Sequence, residues 1–470
     1  TCMQNTDRSR RQLLIAGTGV GTSLFAGCLE ITSEQPATEA DQQPPASEQS
    51  TPSDDESADE DSSDVISCRT DSLPTETTDG TEQTFLNPRN QSSSEAAIPE
   101  EQPCLAWHHQ VDAQTNRLFS EPLVTPETIV LKPASDIVGR SREDGTVVWR
   151  ASETLVDQYR GLRPLGTFDS HLIMYGRNRR NDSLYIITVD PATGDRQWRL
   201  EVVSQSDPNA NRFSAGQLNA PRLYVSIKGR EPDGTRLFCI DTAEQSILWE
   251  RTVADVSLQL EDMATDGEQL IATTDEAPED TDNVWAFDTA DGEVLWSRQI
   301  PIGEGIPVLD DTNLYLPVES HGSDAYDTDI IEAISKRDGA TNWEFETMNS
   351  PRTGVSADDE RVYVVADGQL YALSPATGEP EWRVTTNDDT ALRGNSEGLP
   401  IVFSDWLLIG SRSNEEETAP KIRAIDKRSG TVGWSFGVSA ETIQSPLLAD
   451  GVLYTMAETA SNETKLYAFG

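Results

Sequence analysis

Residues Ala286-Phe287-Asp288-Thr289-Ala290-Asp291-Gly292, with Glu293-Val294-Leu295 and then Trp296, read as a strand, a tight turn and a returning strand. Ala372-Leu373-Ser374-Pro375-Ala376-Thr377-Gly378 stands in the same way before Trp382, and Ala424-Ile425-Asp426-Lys427-Arg428-Ser429-Gly430 before Trp434. Apolar alternation ahead of the turn is a strand signal. Asp or Ser can bond its own backbone and open the turn, and Gly supplies a positive φ. The glycine four residues before Trp recurs at Gly145, Gly194, Gly292, Gly339, Gly378 and Gly430, while one copy has Gln245 there. The position eight before Trp is Asp190, Asp241, Asp288 or Asp426, and elsewhere Ser141, Ser335 or Ser374. Their repetition marks these aspartates as turn formers rather than catalytic groups.

The tryptophans set the period. Trp107, Trp149, Trp198, Trp249, Trp296, Trp343, Trp382 and Trp434 are 42, 49, 51, 47, 47, 39 and 52 residues apart, with Trp285 and Trp406 outside the series. On a repeating outer strand each ring can fill the gap between neighbouring sheets, a burial worth about 2–3 kcal/mol. A second phrase lies upstream in each repeat. Pro307-Val308-Leu309-Asp310-Asp311-Thr312-Asn313-Leu314-Tyr315-Leu316 is a hairpin, repeated at Pro446 to Tyr454, with variants beginning near Pro122, Pro164, Gly216, Met263, Gly354 and Pro400. Four strands per repeat at this period are the signature of a β-propeller. Leu466-Tyr467-Ala468-Phe469-Gly470 matches a third strand with no Trp strand after it, and Leu105-Ala106-Trp107-His108-His109 is a Trp strand with none before it. The two pieces complement each other. The expected fold is all-β: an eight-bladed propeller of four-stranded antiparallel blades, closed by the N-terminal strand, which removes an open edge.

The phrase Ala-x-Asp-x-x-Thr-Gly-x-x-x-Trp, over residues 101–470, resembles the tryptophan-docking motif of quinoprotein-like (PQQ-binding-like) propellers. That superfamily includes PQQ-dependent alcohol dehydrogenases and the assembly factor BamB. The motif specifies the fold, not an activity. The resemblance implies PQQ, calcium and a catalytic Asp for the enzymes of the group. This sequence has no adjacent cysteine pair, and no residue matches the catalytic Asp or the calcium ligands by motif, so no catalytic, cofactor-binding or metal residue and no cofactor is assigned.

Ahead of the repeats lie two further segments. Ser9-Arg10-Arg11-Gln12-Leu13-Leu14 opens an uncharged apolar stretch to Gly27, short for a membrane-spanning helix. Arg10 and Arg11 resemble a twin-arginine (Tat) signal, and Phe25-Ala26-Gly27-Cys28 resembles a lipobox with Cys28 as the lipidated residue. Residues 29–100 hold 18 acidic and 2 basic side chains among Ser, Thr, Gln and Pro, with no apolar period. Such a segment cannot bury enough apolar surface to offset chain entropy. The expected organisation is a signal at 1–27, a disordered acidic tether at 28–100 and the propeller at 101–470.

The chain of 470 residues carries 81 acidic against 36 basic side chains, a net charge of −45. No clustered basic face for nucleic acid is expected. Acidic excess with 6 Lys in the whole chain resembles proteins of salt-in halophilic archaea, whose self-repulsion salt screens. Cys239 sits in an apolar run as a small hydrophobe; Cys68 and Cys104 could pair in an exported protein. His108 and His109 face opposite sides of a strand and cannot chelate one metal, and His171 and His321 lie far off. The expected function is a lipid-anchored extracellular, monomeric module that binds a protein partner or another exported ligand at the propeller face. The alternatives are a PQQ-dependent dehydrogenase and a surface-carbohydrate binder or processing enzyme.

Overall fold

In the computed structural model the described residues are Ile98 and 101–470 apart from short stretches, the longest being 112–121, 320–327, 348–353, 392–398 and 414–419. Arg10, Arg11, Cys28 and nearly all of the acidic segment lie outside them.

Seven four-stranded antiparallel sheets follow one another along the chain, over residues 123–150, 159–203, 210–254, 262–298, 308–346, 354–385 and 401–437. We number them blades 1 to 7. Blade 8 takes Leu447–Ala449, Val452–Glu458 and Thr464–Phe469 from the end of the repeats, and Leu105–Val111 from their beginning. The protein is therefore an eight-bladed β-propeller closed by its N-terminal strand. Cys104 and Gly470 exchange backbone hydrogen bonds of 3.2 and 3.0 Å just beyond that seam.

The blades form because strand burial differs by position. In blade 2 the third strand, Leu184–Val189, is buried at every residue, since a neighbouring blade covers each of its faces. Such strands read as continuous apolar runs rather than alternating ones. The fourth strand, Arg196–Val203, alternates instead, because it lies at the rim. The buried side chains gather into seven clusters, each bridging consecutive blades, and the seventh joins blades 7, 8 and 1. The core is thus a ring of interfaces. First strands of neighbouring blades touch from blade 2 through blade 7, so they are innermost.

Two features differ from the sequence expectation. The first strands of blades 2 and 3, Tyr159–Phe168 and Ala210–Asn219, begin well before Pro164 and Gly216. Bulges within them interrupt the period of 2 and hide their starts. Blade 8 is extended by Thr442–Ile443, Arg412–Ser413 and Thr390–Ala391, so one sheet links connecting segments of blades 6, 7 and 8. A Cβ on Gly410 would stand 2.9 Å from the Ile443 carbonyl oxygen, so glycine is needed for that approach. Cys104 is disulfide-bonded to a cysteine outside the described residues. Cys239 is free and buried, with its thiol pushed up to about 11 by burial.

Up-and-down blades sort their connections into two faces. The first-to-second and third-to-fourth turns share one, here the turn face. The second-to-third and blade-to-blade connections share the other, the loop face.

Candidate functional site

On the turn face the repeated phrase locks blades together. The Trp indole of one blade donates its Nε1–H to the carbonyl just after the Asp or Ser of the next. Trp107 reaches Arg142 O at 3.3 Å, Trp149 Pro191 O at 2.6 Å, Trp249 Thr289 O at 3.0 Å, Trp296 Lys336 O at 2.7 Å, Trp343 Pro375 O at 2.8 Å and Trp382 Lys427 O at 3.0 Å. Each ring also lies on the turn glycine of the next blade. A Cβ on Gly292 would come within 2.8 Å of Trp249, on Gly339 within 2.9 Å of Trp296 and on Gly378 within 2.5 Å of Trp343. These glycines have φ of +72 to +75°, so two constraints fall on one residue. Trp434 packs in the closing cluster. Trp198 differs: it makes no such indole bond among the described residues and faces the blade whose turn holds Gln245 at φ 53°.

The aspartates of the phrase are occupied in their own turns. Asp190 accepts from the amides of Ala192 and Thr193 at 2.8 and 3.3 Å, Asp241 from Ala243 and Glu244 at 2.9 and 2.8 Å, Asp288 from Ala290 at 2.7 Å and Asp426 from Ser429 at 2.8 Å.

A second lock has no counterpart in the sequence expectation. Where the residue after the Asp or Ser is basic, its side chain reaches back to an Asp in the first turn of the preceding blade. Lys336 meets Asp266 at 2.5 Å, Lys427 meets Asp358 at 3.0 Å and Arg142 meets Asp450 at 2.8 Å. Lys336 Nζ also donates to Asp310 O at 2.8 Å. Burial pushes the Asp266 carboxyl up, but the Lys336 ammonium and the Gln269 and Glu268 amides outweigh it and hold the group below the usual carboxylate range. Partners 70, 69 and 308 residues apart escape inspection of one copy; aligning the repeats would have revealed them.

The charge balance is different in blade 2. Residues 159–203 carry 7 Arg against 5 carboxylates, whereas residues 262–298 of blade 4 carry 1 Arg against 11. Arg163 pairs with Tyr175 across the first two strands. The Tyr175 ring stands 4.6 Å from that of Phe213 in blade 3, next to Arg212. Arg212 donates to Gln259 before the first strand of blade 4. Gln259 in turn lies 3.5 Å from a Glu261 carboxylate oxygen. Lys132, just past the second strand of blade 1, is brought down to about 8 by burial and by the Arg163 charge. Burial raises the Tyr175 hydroxyl against the pull of Arg163 and Arg212. At the edge of the group, Asp182 is shared by Arg177 and by Arg160 at 2.6 Å.

Other sequence candidates are placed as follows. His109 Nε2 is 2.6 Å from Asp144 O and His171 Nδ1 is 2.5 Å from Asp169 O. The His108 ring lies 5.5 Å from Tyr467, and His321 lies outside the described residues. No three His, Cys, Asp or Glu side chains converge as a metal cage would require among the described residues. The donors among the described residues therefore do not assemble the calcium site that the quinoprotein resemblance implies, and no step through PQQ is derived.

The sequence family described as outer membrane protein assembly factor BamB matches residues 182–329 and 327–392. A curated relative, the quinohemoprotein alcohol dehydrogenase ADH-IIG of Pseudomonas putida, is 24% identical over 158 residues, 30% of this chain; the match covers 21% of that relative's length. The solved structure of the P. putida HK5 enzyme ADHIIG has a TM-score of 0.55 at 12% identity, over 81% of this chain and 78% of that one. The quinohemoprotein alcohol dehydrogenase of Comamonas testosteroni has a TM-score of 0.57 at 11% identity, over 82% and 79%. BamB from Moraxella catarrhalis superposes with a TM-score of 0.49 at 13% identity, over 78% and 100%. At these identities the likeness is one of fold. The chain is an eight-bladed β-propeller that resembles the PQQ-like, BamB-like repeat propellers, with the sequence likeness running over residues 182–392.

Proposed function

We propose that the chain is a membrane-tethered, extracellular propeller that recognises a protein partner or another exported ligand on its loop face. One observation carries this: the side chains that repeat are occupied in turns and blade locks, so the differences that could specify a ligand lie among the non-repeating loop-face residues. Arg10 and Arg11, the apolar run and Cys28 stand in the order of an exported, lipid-anchored protein, and the acidic segment after them suits a spacer. Acidic surface with scarce Lys suits a salt-rich setting, where a Debye length of about 3 Å at 1 M screens the repulsion.

Crosslinking intact cells and isolating the protein from membranes in molar salt tests the binding role. The same partner in independent preparations is expected; failure to recover any reproducible partner contradicts it. Cys28→Ser should release the protein from membranes, and unchanged retention would remove the anchor from the account. A monomer is expected on sizing. The quinohemoprotein relative supports a second reading, a PQQ-dependent dehydrogenase. Saturable PQQ binding with dye reduction in calcium would favour it over the binding module.

A further inference from the structure

We propose that the loop face around blade 2 binds a small anion bearing several carboxylate or phosphate groups, held by Arg163, Arg212 and Lys132. This rests on the binding-module function and names the class of ligand the loop face takes.

The first ground is uncompensated charge. The chain has 81 carboxylates, yet neither Arg163, Lys132 nor Arg180 has a carboxylate partner among the described residues. Arg212 is engaged by a neutral amide, that of Gln259. In the three side-chain blade locks the chain supplies an aspartate for each cation: Asp266 for Lys336, Asp358 for Lys427, Asp450 for Arg142. Around Arg163 it does not, and like charges held near one another without counter-charge cost free energy in the folded state.

The second ground is geometry. Arg163 and Arg212 sit on adjacent innermost strands, bridged by the Tyr175–Phe213 ring contact at 4.6 Å, and Lys132 follows the blade 1 strand whose Val130 shares a buried cluster with Leu162, the neighbour of Arg163. Two guanidinium forks can each grip an oxyanion bidentately, and an ammonium supplies a third point charge. The paired rings are buried in the cluster between blades 2 and 3 and hold the two arginine-bearing strands together. A single carboxylate would satisfy only part of this group, whereas two or more oxyanions on one small molecule would satisfy it.

Calorimetric titrations of citrate and, separately, of inorganic pyrophosphate into the full chain test the proposal, with acetate as the monovalent control. The salt should be the lowest at which the protein stays folded. Saturable binding of citrate or pyrophosphate, well above acetate, is expected, and the stronger of the two identifies carboxylate or phosphate chemistry. Arg163→Gln with Arg212→Gln should weaken it roughly tenfold or more, because charge-assisted bonds are lost. The double variant should melt no lower than the parent, since repulsion is relieved. No saturable binding of either anion, or equal binding by the double variant, overturns the proposal. Running the membrane pull-down with both proteins separates the two claims. A partner recovered without anion binding leaves the binding module standing; anion binding without a partner leaves this site standing.

Discussion

Blades 2 and 4 are built from the same four-stranded unit and the same tryptophan phrase, yet they meet their neighbours and the solvent differently. Blade 4 docks on blade 5 with every device the repeat offers: the Trp296 indole bonded to Lys336 O, the ring on Gly339, and the Lys336–Asp266 pair. Blade 2 docks on blade 3 through Trp198 without the indole bond among the described residues, against a turn that carries Gln245 in place of glycine. Blade 4 has 11 carboxylates to 1 Arg, and blade 2 has 5 to 7. What the blades share makes the ring. Blade 2 carries more arginines than carboxylates in an acidic protein, on a less completely locked interface.

The largest expected effects lie at the fully locked interface. Lys336→Met strands Asp266 in a site where its side chain is 7% exposed and should cost about 3–5 kcal/mol. Trp296→Ala should cost about 3–5 kcal/mol, and Trp198→Ala about half as much, by denaturant unfolding. Equal losses would mean that the two interfaces are equivalent. Next is Gly339→Ala, which adds a Cβ 2.9 Å from the Trp296 ring at φ +72° and should cost about 1–3 kcal/mol. The reverse change at the weak interface, Gln245→Gly, relieves a positive φ and should stabilise by about 1 kcal/mol. A loss there would show that Gln245 serves the fold in a way its backbone does not reveal.

The smallest effect is in pH dependence. The folded Asp266 carboxyl lies below its ordinary value, so its contribution is present above the ordinary carboxylate pKa and is lost as pH falls through the folded value. The stability gap between the parent and Lys336→Met should therefore be full at neutral pH and shrink below about pH 4. A gap that stays constant into acid would remove the ion pair as its cause.

The fold was legible because the phrase before each tryptophan repeats, and because the incomplete ends, Thr464–Phe469 and Leu105–Val111, pair as complementary parts of one blade. The starts of Tyr159–Phe168 and Ala210–Asn219 were not, since bulges break the alternation that marks a strand. The extension through Thr442–Ile443 was hidden for another reason: strands of two residues have no period to read. The basic group was hidden by averaging. A net charge of −45 argues against any cationic face, although the run from Arg160 to Arg180 already holds 5 Arg and 1 carboxylate, Asp169. A charge count per repeat would have found it. The meeting of Arg163 with Arg212 and Lys132 needs the ring itself, because three blades contribute.

The central claim is that one face holds the ring together and the other recognises the ligand. It is tested most directly by placing a photo-crosslinking residue at Gln259 on the loop face or at Thr193 on the turn face, then irradiating intact cells. The account predicts a reproducible partner adduct from position 259 and none from 193. Adducts from position 193 alone, or equally from both, would contradict it.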